Sequence, residues 1–181
     1  MATKFQSLEQ SLLVIICLNL ACYKYSKGQE GIIPPLKDKA YYTASSELPP
    51  SYGFSYGPSK AGDQYLRTWW SPSTNNRTRC WLQINYGKGR YINYIKIHGG
   101  SHYPNFQNLG DLFYKNLRIR IAKLTFSDGS EETIEFEDSD RVQTFRFQKR
   151  YTNIVRIYPL RYYQAEKWND PCISHFVAGY E

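Results

Sequence analysis

From Trp81 onward, apolar side chains recur at every second position in short runs separated by turn residues. That period of two commits the body of the chain to strands. Leu82, Ile84 and Tyr86 alternate with Gln83 and Asn85, Gly87-Lys88-Gly89 reads as a break, and Ile95 and Ile97 then flank Lys96. Ala122, Leu124 and Phe126 alternate with Lys123 and Thr125 up to Ser127-Asp128-Gly129-Ser130, where Asp-Gly supplies the positive φ angles of a tight hairpin. The predicted return strand covers residues 133–137, with Ile134 and Phe136 inward and Glu135 and Glu137 outward. Phe145 and Phe147, Val155 and Ile157, then Ile173 and Phe176 continue the series. No window of helical length carries a 3.6-residue period and no internal repeat is present, so the pattern predicts an all-β antiparallel sandwich or barrel.

One parity conflict sharpens that reading. Leu117, Ile119 and Ile121 are odd-numbered, whereas Ala122, Leu124 and Phe126 are even-numbered. A regular strand cannot bury both sets on one face. Either a β-bulge lies near Ile121, or residues 116–121 form a loop edge that turns Arg118 and Arg120 toward the core side.

A chain of 181 residues holds one domain with a tail and has no room for two ordinary enzyme domains. Residues 1–21 read as a secretory signal peptide: Lys4 precedes a run from Leu12 to Ala21 that is too short to span a bilayer. Ala21-Cys22 resembles the cleavage site of bacterial lipoproteins, which makes Cys22 the lipidation site, although Asn19 stands where Leu is usual. An ordinary signal peptide cleaved nearby is the alternative. On the lipoprotein reading the protein is exported and held on a bacterial membrane or cell surface by acyl chains. Residues 22–43, polar and ending beyond Pro34-Pro35, read as a tether, and residues 44–181 as the domain. Cys80 and Cys172 are left either as a disulfide or as two small buried residues.

Catalytic chemistry is poorly supplied. No phosphate loop, dinucleotide fingerprint, nucleophile elbow or Cys-x-x-Cys motif occurs. The spacing of His98 and His102 suits a zinc pair on a helix, but Gly99-Gly100 between them disfavours one, so no metal pair is expected. Seven of the 16 acidic residues fall within the thirteen positions from Asp128 to Asp140, which reads as a solvated face of the hairpin. Asn76-Arg77-Thr78 is a glycosylation sequon only in a eukaryotic secretory route. Binding chemistry is richer, because the connections between strand runs carry Arg67-Thr68-Trp69-Trp70, Ser101-His102-Tyr103-Pro104-Asn105-Phe106 and Tyr162-Tyr163 through Trp168-Asn169-Asp170. Rings offer a face to the C–H side of a sugar, and flanking amides, acids and guanidinium groups bond its hydroxyls. Trp70 and Trp81, beside strand starts, read as core plugs.

The ordered set of motifs resembles the discoidin-like, galactose-binding-like modules, and most of all the bacterial NADase-type glycan-binding domain. It runs from Ala44-Ser45-Ser46, Leu48-Pro49-Pro50, Tyr56-Gly57-Pro58, Asp63, Thr68 and Trp70, through Trp81-Leu82-Gln83-Ile84 and Ile95-Lys96-Ile97, to Tyr114-Lys115-Asn116-Leu117-Arg118, Phe126-Ser127-Asp128-Gly129 and Lys167-Trp168-Asn169-Asp170-Pro171-Cys172-Ile173-Ser174. The resemblance implies an eight-stranded jelly-roll sandwich that binds ligand through loops at one end and performs no catalysis. It also implies a structural calcium loop, from which this chain departs: Asp63 is followed by Gln64 and Tyr65, Lys60-Ala61-Gly62 precedes it, and His175 stands at the usual Glu position. Asp63 and Thr68 alone give too few oxygen ligands, so calcium is expected to be weak or absent and no cofactor is expected.

The resulting expectation is a non-catalytic, surface-exposed module that binds a glycan through His102, Tyr103, Arg118, Trp168, Asn169 and Asp170, with no nucleic-acid partner. The rival is an adhesin that binds protein or a polyanion through the formal net charge of +7. An enzyme of unfamiliar type and a structural envelope component remain further alternatives.

Overall fold

The computed structural model describes residues 40–73 and 79–181. The predicted signal peptide, Cys22 and nearly all of the tether lie outside the described residues, as does the Asn76 sequon. Among the described residues no helix is long and apolar enough to cross a membrane.

Among the described residues six strands form the body: β1 (Tyr41–Ala44), β2 (Leu82–His98), β3 (Arg118–Phe126), β4 (Glu131–Glu135), β5 (Gln143–Tyr163) and β6 (His175–Gly179). All pairings between them are antiparallel, in the order β1-β2-β5-β3-β4, with β6 on the other edge of β2. β1 begins inside the stretch read as tether, because Tyr41 to Ala44 pair with Asn85 to Leu82. Among the described residues the one α-helix, α1, is a single turn (Leu112–Lys115) capped by the Asp111 carboxylate, which accepts from the Phe113 N–H.

β2 and β5 are long because each serves both layers of a sandwich. The first half of β2 pairs with β1 and with the second half of β5, whereas its second half pairs with β6 and with the first half of β5. The change of layer occurs at bulges. Between two register points β2 advances from Asn85 to Arg90 while β5 moves only from Ile154 to Thr152. The surplus residues include Gly87, at φ +71. Gly87-Lys88-Gly89 is therefore a bulge inside one strand and not the break predicted from sequence; a bulge bends a strand without ending it. With β2 and β5 each counted once per layer, six strands supply the eight segments of a jelly roll.

The parity conflict in β3 resolves as a bulge: the register with β5 shifts on both sides of Ile121. Ile119 before it and Ala122, Leu124 and Phe126 after it are buried, and Arg120 points to solvent. The Asp128-Gly129 hairpin forms as predicted, with Gly129 at φ +81 and its N–H donating to the Phe126 carbonyl. Its return strand starts earlier than expected, at Glu131, and Phe136 is buried just beyond it.

The core between the layers holds Trp70, Leu82, Ile84, Ile95, Ile97, Leu124, Ile157, Ile173 and Phe176, all inaccessible to water. Trp70 is the core plug predicted for it and donates its indole N–H to the Ser46 carbonyl. Trp81 is not: it is half-buried on the outer face, where the Arg156 guanidinium lies 4.3 Å from its ring centre. Cys80 and Cys172 do not bond to each other. Cys80 packs in this core with Sγ 3.7 Å from the Tyr162 hydroxyl, and Cys172 belongs to a second, smaller cluster. Burial pushes both thiols above their ordinary range.

Candidate functional site

The second apolar cluster lies where three connections meet: residues 45–73, residues 99–117 and residues 164–174. Backbone bonds lock them together, from Leu48 N to Ser71 O, Trp70 N to Ile173 O, Leu117 N to Asp170 O and Trp168 N to Lys115 O. Ser71 Oγ donates to the Pro171 carbonyl at 2.9 Å in a fully buried site. Irregular segments that exchange this many bonds form a rigid display surface.

Trp69, Tyr56, Phe106, Leu112 and Cys172 fill the base, with Phe54, Tyr103 and Trp168 packed against them. The Phe54 ring centre is 4.8 Å from Trp69 and 5.3 Å from Phe106, spacings of attractive aromatic pairs. Above this base opens a cleft of about 530 Å³, its mouth included, walled by Trp69, Trp168 and Phe54 and bordered by the polar groups of Ser51, Asn116 and Asp170. Apolar walls with a few convergent polar groups are the form of a small-ligand site. The polar groups are oriented: Asn116 donates its side-chain N–H to Ser101 Oγ and to the Leu112 carbonyl, both at 3.1 Å, and Ser51 Oγ lies 3.0 Å from the Tyr56 hydroxyl.

Tyr52 stands on the rim. Ser51 and Phe54 pair across a two-residue turn in which Tyr52 takes φ +52 and Gly53 φ +80. A non-glycine residue in the left-handed region costs roughly 1 kcal/mol or more, yet this ring is 75% exposed and gains almost no burial in return. The turn spends conformational energy to hold an aromatic face in water beside the cleft.

The sequence-predicted residues divide into two groups. Trp168 and Asp170 line the cleft. Tyr103 supports it, with its ring 5.2 Å from Phe106 and the Arg67 guanidinium 5.2 Å from its centre. Asn169 is exposed nearby and does not line it. Arg118 is buried and engaged elsewhere: its Nε and Nη2 donate to the two Asp138 carboxylate oxygens at 2.7 and 3.1 Å, and Nη1 donates to the Asn116 and Tyr114 carbonyls. His102 faces Asp140, whose oxygens lie 2.9 and 3.0 Å from Nδ1. Asp140 also meets His98 Nε2 at 2.8 Å. Burial raises Asp140, but its bonds to His98 and His102 outweigh that and hold it below the usual carboxylate range.

Sequence reasoning missed Tyr52, Phe54 and Asn116. The first two had a signal in Tyr52-Gly53, a two-residue turn pair after Pro49-Pro50; Asn116 had none, since its role comes from the fold around it.

The loop that resembles a calcium site does not fit the ion. Asp63 already accepts from the Thr68 hydroxyl and the Tyr65 N–H, and the Lys60 ammonium lies 3.5 Å from it. The Tyr42 ring packs against Gly62 so closely that a Cβ there would lie 2.1 Å from it, while its hydroxyl donates to the Phe176 carbonyl. His175, at the Glu position, is buried and offers nitrogen in place of oxygen.

No protein-family model matches the chain, and no curated protein matches it in sequence. Solved structures do match. The module CpGH89CBM32-5 of Clostridium perfringens, in complex with GalNAc-β-1,3-galactose, superposes with TM-score 0.58 at 17% identity over 77% of this chain and 94% of that one. The family 32 carbohydrate-binding module of C. perfringens NanJ, in complex with galactose, gives 0.55 at 18% identity over 77% and 92%. Chitosan-binding module 2 from a chitosanase/glucanase of Paenibacillus sp. IK-5, in complex with chitotriose, gives 0.54 at 16% identity over 78% and 97%. At such identities the likeness speaks for architecture: this chain has the all-β, galactose-binding-like sandwich of these modules.

Proposed function

We propose that the protein is a non-catalytic carbohydrate-binding module that takes a glycan into the cleft between Trp69, Trp168 and Tyr52. The observation that carries this reading is the exposed Tyr52 ring, held in a strained turn at the mouth of a cleft that also holds Trp168 and Asp170. A pyranose ring laid on these aromatic faces buries its C–H side, and Asp170, Asn116 and Ser51 are placed for its hydroxyls. The solved modules of the same architecture, each in complex with a sugar, support the reading. Asp170 is the only carboxylate among the cleft-lining residues, whereas glycoside hydrolysis ordinarily needs two. We further infer an exported protein anchored by lipid at Cys22 on a bacterial surface, on the strength of the h-region and Ala21-Cys22, and a domain that needs no calcium.

The test is a glycan array probed with the full chain, followed by titration of the best glycan against Trp168→Ala and Tyr52→Ala. Loss of one stacking ring costs about 0.5–1.5 kcal/mol beyond its buried area, so affinity should fall at least several-fold in each variant. Absence of signal on every glycan, or an affinity unchanged from the wild type in both variants, overturns the reading.

A further inference from the structure

Away from the cleft lining, three side chains from separate parts of the sequence converge: His98 at the end of β2, His102 in the following loop and Asp140 in the link between β4 and β5. His98 Nε2, His102 Nδ1 and the Asp140 carboxylate all lie within 4.8 Å of one another. The spacing of the two histidines suggested a helix that the intervening glycines forbid; a strand end followed by a turn brings them together instead. The acidic run contributes Asp140, which looks like one more surface charge in the sequence.

Both ring nitrogens of His98 are held by partners. Its ring is fully buried. Nδ1 lies 3.2 Å from the Gly100 carbonyl and 2.7 Å from Ser174 Oγ, while Nε2 lies 2.8 Å from Asp140. A carbonyl oxygen only accepts, so a proton on Nδ1 satisfies Gly100 and leaves the Nε2 lone pair facing a carboxylate. A proton on Nε2 satisfies Asp140, and the Ser174 hydroxyl then donates to the Nδ1 lone pair, which is the metal-free arrangement. The other tautomer suits a cation between Nε2 and Asp140: Nδ1–H donates to Gly100 O, Nε2 gives its lone pair to the metal, and Asp140 supplies the charge. A ligating histidine whose other nitrogen is fixed on a backbone carbonyl is the usual support for such a bond.

From this geometry we propose that His98 Nε2, His102 Nδ1 and Asp140 form a binding site for one divalent transition-metal ion of the zinc class. Two imidazoles and a carboxylate suit zinc in type and number, and its tetrahedron leaves one position for water or a ligand oxygen. Zinc at about 2.0–2.1 Å from each donor sets neighbouring donors roughly 3.3 Å apart, so the Asp140 contacts open by a few tenths of an ångström while the widest donor pair, now within 4.8 Å, closes around the ion. His102 and Asp140, whose side chains are 25% and 20% exposed, give the ion its path from solvent. The bound ion ties the β4–β5 link to the end of β2.

The test uses the full chain, stripped with chelator and titrated with zinc chloride and with cobalt(II). One equivalent of zinc should bind, and at 100-fold excess over Kd the Tm should rise by roughly 5–10 °C. Cobalt should show visible bands of nitrogen and oxygen ligation without the intense near-ultraviolet thiolate band that cysteine sites give. His102→Ala, at a part-exposed position that tolerates truncation, and Asp140→Asn, which keeps shape and loses charge, should each weaken zinc about 100-fold or more. No stoichiometric zinc in the wild type, a thiolate band for the bound cobalt, or zinc affinity unchanged in both variants overturns the proposal.

Discussion

Arg118 was expected to touch ligand, and the structure gives it a different duty that a single pair of substitutions separates. Its side chain is 8% exposed, its partner Asp138 36%. The guanidinium makes two charge-assisted bonds to Asp138 and two bonds to the Tyr114 and Asn116 carbonyls, and lies 5.5 Å from the Phe113 ring centre. It thereby pins the β4–β5 link to the segment that carries Asn116 into the cleft. Arg118→Met keeps the aliphatic stem and removes every one of those bonds. Asp138 can turn to water because it is partly exposed, and the Tyr114 carbonyl keeps the Glu166 N–H, but the Asn116 carbonyl is left without this donor, at about 1–3 kcal/mol where water cannot reach it. With about 1 kcal/mol for the lost bonds to Asp138, a total loss of about 2–4 kcal/mol follows. Asp138→Asn leaves the buried cation with one neutral acceptor, and its cost should reach about 2 kcal/mol once partial exposure is discounted. For a chain of this size each kcal/mol moves Tm by about 2–4 °C. Thermal and urea unfolding followed by circular dichroism therefore should show a fall of roughly 4–16 °C for Arg118→Met, and glycan affinity measured well below Tm should change far less than in Trp168→Ala. A variant of unaltered Tm that binds no glycan would refute the reasoning and return Arg118 to the ligand site.

Two further outcomes follow from buried residues. Burial, with His98 and Lys96 nearby, pulls His175 down to about 4 from an ordinary 6.5; the unfolded chain then binds the proton more tightly, so His175 favours folding fully above about pH 6.5 and progressively less down to about pH 4, a change of about 3 kcal/mol across that window. Urea denaturation of chelator-treated protein at pH 7 and pH 4.5 should show His175→Gln losing that share of the pH dependence, and an identical slope in both proteins contradicts it. Gly62→Ala has permissible backbone angles, at φ −125, yet its Cβ meets the Tyr42 ring at 2.1 Å; overpacking should cost about 1–3 kcal/mol, and an unchanged Tm would show that Tyr42 is not held where the structure has it.

Much of the sandwich was legible because it rests on local rules. Alternation at Leu82, Ile84, Ile95 and Ile97 located strands, Asp128-Gly129 located the hairpin, and the parity change between Ile119 and Ala122 located an irregularity, a bulge or a loop edge, between which only the pairing with β5 decided. The same rule misread Gly87-Lys88-Gly89, since a turn tripeptide and a long bulge look alike until the partner strand is known to continue past it. The cleft was half legible. Trp168 and Asp170 announced themselves as an aromatic and an acid in a long connection, but Arg118 and His102, equally polar and equally near, are consumed by Asp138 and Asp140. Those carboxylates sit some twenty to forty residues away in an acidic run, and only the closure of the β4–β5 link against β2 and β3 determines which of the seven acids in that run meets which cation. The calcium-loop departure could be read as missing acids; that Tyr42 packs against its glycine could not.

The central claim is the place at which sugar meets this scaffold, and the indole N–H signals of an isotope-labelled full chain report on it directly. The chain has four tryptophans: Trp69 and Trp168 wall the cleft, Trp70 is sealed in the core with its N–H on Ser46, and Trp81 lies on the outer face under Arg156. Titration with the glycan selected on the array should shift the Trp168 and Trp69 indole resonances saturably while those of Trp70 and Trp81 stay in place. Saturable shifts confined to Trp81, or binding that leaves all four indoles unmoved, would contradict the account.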